Sequence, residues 1–346
     1  THTKVSLDRA LYLTSENGHD RIAKRLLEAG ADPHAQRGQA DNELALHAAS
    51  TGSSLSHQRI VEMLVHSGVD VNIKAGRYGY AALQAAFFCG GMPTIQVLVD
   101  SGAEIDAVGG IYGTALHAAL SAGHNDIAVF LLVAGANPNG PNRDIAYHAS
   151  RMTPLYLASW KGLEQAVECL IKAGAAISNN RNIEYRNALY AATGNYDVDA
   201  LDIQRNSQEL RGRIAKLLLD AGADSNALGG YYGKALQHAS LRGQDHIVKQ
   251  LISSGANVSE EVRRYGNGLQ AAASGDHIDI VKMLLNAGAD VKAKGGYHGS
   301  ALHAACWDGY NLVVKLLVNN GADVGGQAIF RGKCPSQDEE KPCTPL

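Results

Sequence analysis

One stretch of this sequence has the composition of a phosphate-binding loop. Residues 229–235 read GGYYGKA, and such loops hold phosphate oxygens with glycine-rich backbone amides and a lysine. However, only three residues separate Gly229 from Gly233, where the loop needs four, and Ala235 stands where it needs serine or threonine. Similar text recurs at 109–113 as an ordinary connector. We therefore reject a nucleotide site here.

The middle of the chain is a second place where chemistry is conceivable. Residues able to surround a small pocket there are Tyr147, His148, Lys161, Glu184, Tyr185 and Arg186. Acid–base catalysis needs a histidine or carboxylate within hydrogen-bond reach of a substrate proton, and sequence alone does not show that convergence. A small-molecule site or an unusual enzyme built on residues 140–212 is kept as the alternative hypothesis. We lean towards no enzymatic activity and assign no catalytic residue.

The cysteines do not form a metal-ligand or disulfide pattern. They are five in number and scattered: Cys89, Cys169, Cys306, Cys334 and Cys343. An odd, scattered set is typical of a reduced intracellular protein rather than a disulfide scaffold. We expect no metal, no cofactor and a cytoplasmic location, with the nucleus as a second possibility.

The charge balance argues against two classes of partner. Lysine and arginine total 31 against 34 aspartate and glutamate, for a net charge of −3. This excludes a broad basic field of the kind that binds nucleic acid or anionic membranes. No apolar run approaches the roughly 18 residues of a membrane helix. Because the chain starts at Thr1 rather than methionine, we expect a processed product or an excised domain.

A repeated unit organises most of the chain. A Gly-Ala-Asp turn or a close variant begins at Gly30, Gly68, Gly102, Gly135, Gly174, Gly222, Gly255, Gly288 and Gly321, and the last four are 33 residues apart. Each unit holds two short apolar helical patterns, such as TALHAAL at 114–120 and IVKMLLNAG at 280–288. Helices this short are marginal alone, so packing against neighbours must stabilise them. The expected N-terminal caps are Thr114, Thr153, Asn187, Asn267 and Ser300.

These motifs resemble the ankyrin repeat. The shared features are the period, a [T/S]-x-L-H-x-A helix start, a Gly-His break and an LL-x-x-GAD end, over about residues 7–324. The GG-x-YG connectors also resemble those of ankyrin arrays in fungal multidomain proteins. The resemblance implies an all-α repeat solenoid, a helix-turn-helix stack with β-hairpin fingers. It also implies a protein partner bound on the concave groove that fingers and first helices form.

We predict one solenoid domain of nine units over residues 1–330 and a flexible C-terminal tail at 331–346. Irregular insertions are predicted near 51–56, 140–151 and 195–212, and the last should extend a second helix backwards. Insertions on a rigid scaffold are common places for function, but they also cost little stability. A functional role for the irregular middle is therefore left open.

One position of the first helix carries only hydrogen-bonding side chains: Tyr12, His47, Gln84, His117, Tyr156, Tyr190, Gln237, Gln270 and His303. They either bond a neighbouring connector's backbone or form a ladder of ligands and general bases. Glutamine does not exchange protons near neutrality, so we predict the structural role.

The predicted binding surface combines the residues before each Gly-His break with the finger tips. Tryptophan, tyrosine and arginine most often carry the binding energy of protein interfaces. The selected residues are Phe88, Tyr147, His148, Trp160, Lys161, Tyr185, Arg186, Arg242, Trp307 and Asp308. The regularly recurring Tyr78, Tyr112, Tyr232 and Tyr265 are interpreted as packing between fingers. We expect a monomer that binds a protein partner and neither nucleic acid nor membrane.

Overall fold

The structure, a computed structural model, describes residues 2–34, 36, 43–75, 81–87, 91–109, 113–140, 152–178, 187–194, 205–230, 233–262 and 266–325. It divides into two compact units, Thr1–Ala176 and Ile177–Leu346. The predicted tail at 331–346 and nearly all of the predicted insertion at 140–151 lie outside the described residues. The predicted domain boundaries stay predictions.

The first unit consists of helix pairs in which each first helix contacts its second helix. In chain order they are α1 (His2–Glu16) with α2 (Asp20–Glu28), α3 (Ala45–Ser50) with α4 (Leu55–His66), α5 (Ala82–Ala86) with α6 (Met92–Asp100), α7 (Ala115–Ala122) with α8 (Asn125–Val133), and α9 (Pro154–Lys161) with α10 (Glu164–Lys172). First helices contact first helices, as α7 contacts α9, and second helices contact second helices, as α8 contacts α10. The unit is therefore a two-layered stack.

The second unit repeats this arrangement. Its elements are α11 (Ala188–Ala192) with α12 (Arg205–Asp220), the strands β1 (Leu228–Gly230) and β2 (Gly233–Lys234), α13 (Ala235–Leu241) with α14 (Asp245–Ser253), α15 (Gly268–Ser274) with α16 (Ile278–Asn286), and α17 (Ala301–Asp308) with α18 (Asn311–Asn319). The strands form an antiparallel hairpin. Helix α12 has 16 residues where α14 has nine, so the predicted backward extension is confirmed from Arg205 onward.

The two layers differ in side-chain size. First helices bury alanines such as Ala119 and Ala272, whose small side chains let neighbouring helices approach closely. Second helices contribute the larger Leu131, Ile280 and Leu284, which have no exposed surface. Burial of each such leucine or isoleucine stabilises the fold by about 2 kcal/mol. The stack is thus held together by apolar side chains between the layers.

The ends of the first helices follow the predicted capping chemistry. Each predicted cap accepts a hydrogen bond from a first-turn backbone amide: Thr114, Thr153, Asn187, Asn267 and Ser300. At the other end, Gly123, Gly162 and Gly309 adopt left-handed backbone conformations. Because glycine has no Cβ, it reverses the chain there at little cost. The turn to each second helix is therefore set locally.

The hydrogen-bonding position of the first helix has the predicted structural role. Gln84 donates to the carbonyls of Ala107 (2.9 Å) and Gly113 (2.7 Å) in the next connector. The Gln237 amide bonds the Glu260 carbonyl (3.0 Å), and the Gln270 amide bonds the Ala293 carbonyl (3.2 Å). In the same way, His117 Nε2 lies 3.1 Å from the Met152 carbonyl. These four side chains join helices to connectors, as the structural role predicts.

A second set of bonds joins successive turns. Asn226 donates to the Gly255 carbonyl (3.0 Å) and accepts from the Asn257 amide (2.8 Å). Asn72 and Asn139 make both bonds in the same way, and Asp106 accepts a bond from the Asn137 amide; we call these four side chains the Asx rungs. The positions that correspond in later repeats hold Ser259 and Lys292, whose side chains make no such bond to the described turns.

Candidate functional site

Five of the selected surface residues are described, and all five lie where a first helix ends. Trp160 and Lys161 are the last residues of α9, in the first unit. In the second unit, Trp307 and Asp308 are the last residues of α17, and Arg242 directly follows α13. A glycine with positive φ comes next in each case. The same local geometry therefore presents side chains at each of these helix ends.

The other five selected residues, Phe88, Tyr147, His148, Tyr185 and Arg186, lie outside the described residues. Four of them, Tyr147, His148, Tyr185 and Arg186, belong to the pocket hypothesis for residues 140–212. Both the contact role of these residues and the pocket therefore stay predictions.

The end of α9 holds a cation against an aromatic ring. Lys161 Nζ lies 5.1 Å from the centroid of the Trp160 ring. This is within the roughly 6 Å at which an ammonium ion is attracted by the ring's negative face. Trp160 is half-buried and Lys161 is exposed, so the pair lies at the surface of the first unit.

Arg242 lies beside a buried histidine. His238 has 1% of its surface exposed, and its ring centroid is 4.9 Å from that of Tyr190. The Thr193 hydroxyl donates to the Tyr190 carbonyl, so His238 Nδ1 donates to Thr193 Oγ1 at 2.5 Å. Burial, followed by the positive charges of Arg242 and Arg211, lowers the pKa of His238 to about 3. Sequence reasoning missed this second role of Arg242, because it depends on which buried group the arginine faces.

The end of α17 combines an exposed aromatic ring with acidic groups. Trp307 is 48% exposed, and its ring centroid is 6.2 Å from that of His298. Burial raises the pKa of the Tyr310 hydroxyl, and the charges of Asp308 and Asp276 raise it further. We call Asp276, Trp307, Asp308 and Tyr310 the α17 patch. Sequence reasoning selected only Trp307 and Asp308 of these four.

Comparison with known proteins identifies the architecture. A family model described as "Ankyrin repeats (3 copies)" matches residues 11–109, 60–142, 82–183 and 236–328, which together cover well over half of the chain. The chain belongs to the ankyrin repeat family. Ankyrin repeats are generally protein–protein interaction modules. The resemblance to fungal arrays and the number of repeats stay predictions.

Several characterised proteins contain ankyrin segments similar to this one. Human Rabankyrin-5 is 30% identical over 173 residues, 49% of this chain and 14% of that protein. The chicken nuclear factor NF-kappa-B p105 subunit is 30% identical over 38% of this chain and 13% of its own length. Human neurogenic locus notch homolog protein 1 is 32% identical over 44% of this chain and 6% of its own length. The matched segments are thus small parts of much longer proteins.

A solved ankyrin structure confirms the fold. The crystal structure of the human ASB11 ankyrin repeat domain superposes with a TM-score of 0.55 at 22% identity. The match covers 69% of this chain and 98% of that domain. The predicted fold class, an all-α ankyrin repeat solenoid, is therefore confirmed.

The ankyrin array shows no metal or membrane feature in its described part. Among these residues, no three histidine, cysteine, aspartate or glutamate side chains are grouped closely enough to hold a metal ion. None of the described helices has both the length and the apolar character needed to cross a bilayer. The described cysteines, Cys169 and Cys306, are free thiols.

Asp276 breaks the ankyrin array's own pattern. It has a φ of 58°, and among the described residues it is the one non-glycine residue with positive φ. Gly243 and Gly309 hold the matching positions 33 residues away on either side, with φ of 68° and 77°. The sequence already indicates this difference. Residues 274–277 read SGDH, so an aspartate occupies the position of the glycine in the usual Gly-His break.

We expect Asp276→Gly to stabilise the protein by about 1 kcal/mol, because glycine adopts this conformation without the Cβ strain of aspartate. Urea unfolding monitored by circular dichroism measures the difference. The matched control is Gly309→Asp, which places aspartate in the same conformation one repeat later and should destabilise by a similar amount. Equal stability of wild type and Asp276→Gly would show that Asp276 carries no strain.

Proposed function

We propose that this ankyrin array recognises a protein partner on its concave groove, with Trp160 and Trp307 as the main anchors. The observation that supports this proposal is that both tryptophans of the chain occupy the same position within their repeats. Each lies two residues before a left-handed glycine that ends a first helix. Each has surface open to solvent, and Trp307 is 48% exposed. A tryptophan buries a large area on binding and loses few torsions, which suits it to an interface anchor.

Charged side chains beside the anchors support the same function. Lys161 and Asp308 directly follow the two tryptophans and are exposed, and Arg242 is half-buried at the matching helix end. Interfaces commonly surround an apolar anchor with polar groups that set specificity and exclude water. Each end thus presents a charged side chain next to its aromatic anchor, a cation in the first unit and a carboxylate in the second.

We further propose that the protein is a monomer, that it lies in the cytoplasm or the nucleus, and that its partner is a protein rather than a nucleic acid or a membrane. The net charge of −3 supports the choice of partner class. The odd, scattered set of five cysteines in the sequence supports a reducing compartment. Because the named relatives match only over small parts of their length, their own partners are not transferred to this chain.

The test is affinity capture from cell extract with the wild type, Trp160→Ala and Trp307→Ala, each compared by quantitative mass spectrometry. We expect at least one tryptophan variant to lose a specifically captured protein by roughly tenfold or more, since anchor truncations typically cost 2 kcal/mol or more. Melting temperatures should change little, because both side chains have exposed surface.

Matched controls remove exposed aliphatic side chains from second helices. Val133 is 80% exposed on α8, and Val318 is 41% exposed on α18. Val133→Ala and Val318→Ala should capture the same proteins as the wild type. If the tryptophan variants also do so, or lose stability while their capture is unchanged, the proposed anchors are wrong.

A further inference from the structure

The second helices of the second unit carry a row of lysines. Each lies six residues before the glycine of its turn, and consecutive members are 33 residues apart: Lys216, Lys249, Lys282 and Lys315. All four are exposed, on α12, α14, α16 and α18. These helices contact one another in that order. Because packed helices lie roughly 8–10 Å apart, the four lysines form a row of evenly spaced positive charges, which we call the lysine row.

The fold itself does not require lysine at this position. In the first unit the same position, six residues before the turn glycine, holds basic, acidic, neutral polar and apolar residues: Lys24, Glu62, Gln96, Val129 and Glu168. The second helices that carry them pack in the same two-layered stack. Four like charges in a row repel one another, so their repetition is not explained by stability. The repetition in the second unit therefore points to a surface that meets an anion.

Most of the positive charge in the lysine row is not neutralised within the described chain. Lys216, Lys249 and Lys315 form no ion pair with any described residue. Lys282 Nζ lies 3.0 Å from Asp279 Oδ1, and the two side chains are 54% and 75% exposed. An exposed pair of this kind contributes little stability, so another carboxylate can replace Asp279 at little cost. The whole row is thus open to an external anion.

Partly exposed apolar side chains lie beside the lysine row. They come three residues after each lysine: Leu219, Ile252, Leu285 and Val318. The first three are half-buried, and Val318 is 41% exposed. Residues three apart on a helix are neighbours on its surface, so each of these helices presents an ammonium group next to an aliphatic side chain. A ligand that fits this face combines carboxylates with apolar groups.

We propose that the lysine row and its apolar neighbours bind an acidic segment of a protein partner. This surface belongs to the layer of second helices, so the inference does not depend on the tryptophan anchors at the ends of first helices. Carboxylates about 10 Å apart, at every third residue of an extended chain, would meet successive lysines.

A protein segment fits this face better than a larger polyanion. It supplies both carboxylates and aliphatic side chains, and a nucleic acid backbone supplies no aliphatic groups. A short segment also contacts this face alone. A nucleic acid or an anionic bilayer extends beyond it and meets the rest of a chain whose net charge is −3.

The test measures the binding of two fluorescein-labelled peptides to the full chain by fluorescence anisotropy at low ionic strength. The acidic peptide consists of four copies of Glu-Leu-Ser, and the matched peptide has glutamine in place of each glutamate. We expect the acidic peptide to bind at least about tenfold more tightly, because only its carboxylates attract the lysine row. Its affinity should fall as salt is raised.

Variants of single residues locate the binding. Lys249→Gln should weaken acidic-peptide affinity about threefold, and Lys249→Glu about tenfold, because glutamate adds a like charge. Combining Lys249→Gln with Lys282→Gln should weaken it about tenfold, since separate ion pairs contribute additively. Asp279→Asn should strengthen it about twofold, because it releases Lys282. The matched control is Lys24→Gln, which removes an exposed lysine from the same repeat position in the first unit and should leave the affinity unchanged.

The outcomes separate this inference from the proposed function. Melting temperatures should stay at the wild-type value, because the substituted side chains are exposed. Equal binding of the two peptides, or wild-type affinity of Lys249→Glu, would overturn the inference. Tighter binding of a single-stranded oligonucleotide or of phosphatidylserine vesicles than of the acidic peptide would also overturn it. Trp160→Ala and Trp307→Ala should leave acidic-peptide affinity unchanged, whether or not they lose the protein captured from extract.

Discussion

Replacing His117 with glutamine will make the protein less sensitive to acid while leaving its stability near neutrality almost unchanged. His117 is buried in α7, and burial lowers its pKa to about 4 from the ordinary 6.5, so it is neutral in the folded state at pH 7. The neutral ring is fully bonded: the Thr114 hydroxyl donates to Nδ1 at 2.8 Å, and Nε2 donates to the Met152 carbonyl. Protonation of Nδ1 would break the first of these bonds.

The sign of the pH effect follows from the two protonation states. Between pH 6.5 and 4 the unfolded chain binds a proton at His117 that the folded chain does not, so the free energy of unfolding falls as pH falls. The loss from this group reaches about 2 kcal/mol at pH 5 and about 3 kcal/mol below pH 4. Glutamine removes this proton uptake and, as Gln84 shows, can make the connector bond from the same position.

Urea unfolding of the wild type and His117→Gln at pH 7 and pH 5 measures the effect. His238, with a pKa lowered to about 3, will keep part of the acid sensitivity in both proteins. The exposed His19 serves as the control, since His19→Gln removes a histidine from the surface. Parallel losses of stability in wild type and His117→Gln between the two pH values would contradict the assignment.

Replacing Gly233 with alanine will destabilise the second unit by about 3 kcal/mol, through backbone strain and overpacking together. Gly233 has a φ of 105°, which side-chain-bearing residues rarely adopt. A Cβ there would lie 2.7 Å from Cβ, Cγ1 and Cγ2 of Val262. Valine is stiff about χ1, so its methyl groups do not move aside easily.

Two further variants separate the causes. Gly255 has a similar positive φ of 83°, but a Cβ there would meet nothing within 4 Å, so Gly255→Ala should cost only about 1 kcal/mol. Adding Val262→Ala to Gly233→Ala should restore the part of the stability that overpacking removes. The loss of stability in the double variant should then be smaller than the sum of the losses in the two single variants. Thermal unfolding measures the wild type, Gly233→Ala, Gly255→Ala, the double variant and Val262→Ala alone, which the comparison of additivity requires. Equal costs at Gly233 and Gly255 would show that the contact with Val262 is not tight.

The sequence was sufficient to predict those parts of the fold that depend on short-range patterns. The 33-residue period, the capping residues and the backward extension of α12 are all properties of neighbouring residues. The structural role of the Gln84 and His117 position followed from proton chemistry alone. The start of α1 was less well predicted: the resemblance began near residue 7, and the helix begins at His2. Helix ends are set by weak local preferences, so such shifts are common.

The candidate site was less predictable, because its properties depend on contacts between repeats. Trp307 and Asp308 could be selected from their types, but the effect of Asp276 on the pKa of Tyr310 acts between neighbouring repeats and could not be read from the sequence. The depressed pKa of His238 arises from burial, from Arg242 four residues later and from Arg211 in the preceding helix pair. Periodicity gives the position of a residue within its repeat, but it does not give the electrostatic environment that neighbouring repeats create.

Because the Asx rungs occur in some repeats and not in others, the free energy needed to open the array locally should differ from repeat to repeat. Asn226 ties the turn at Gly255, whereas Ser259 and Lys292 leave the turns at Gly288 and Gly321 without such a tie among the described residues. Amide hydrogens at those later turns should exchange with solvent faster, since fewer bonds must break for opening. The α17 patch lies in this easily opened part. A bound partner would therefore slow exchange there, so recognition and local ordering are thermodynamically linked.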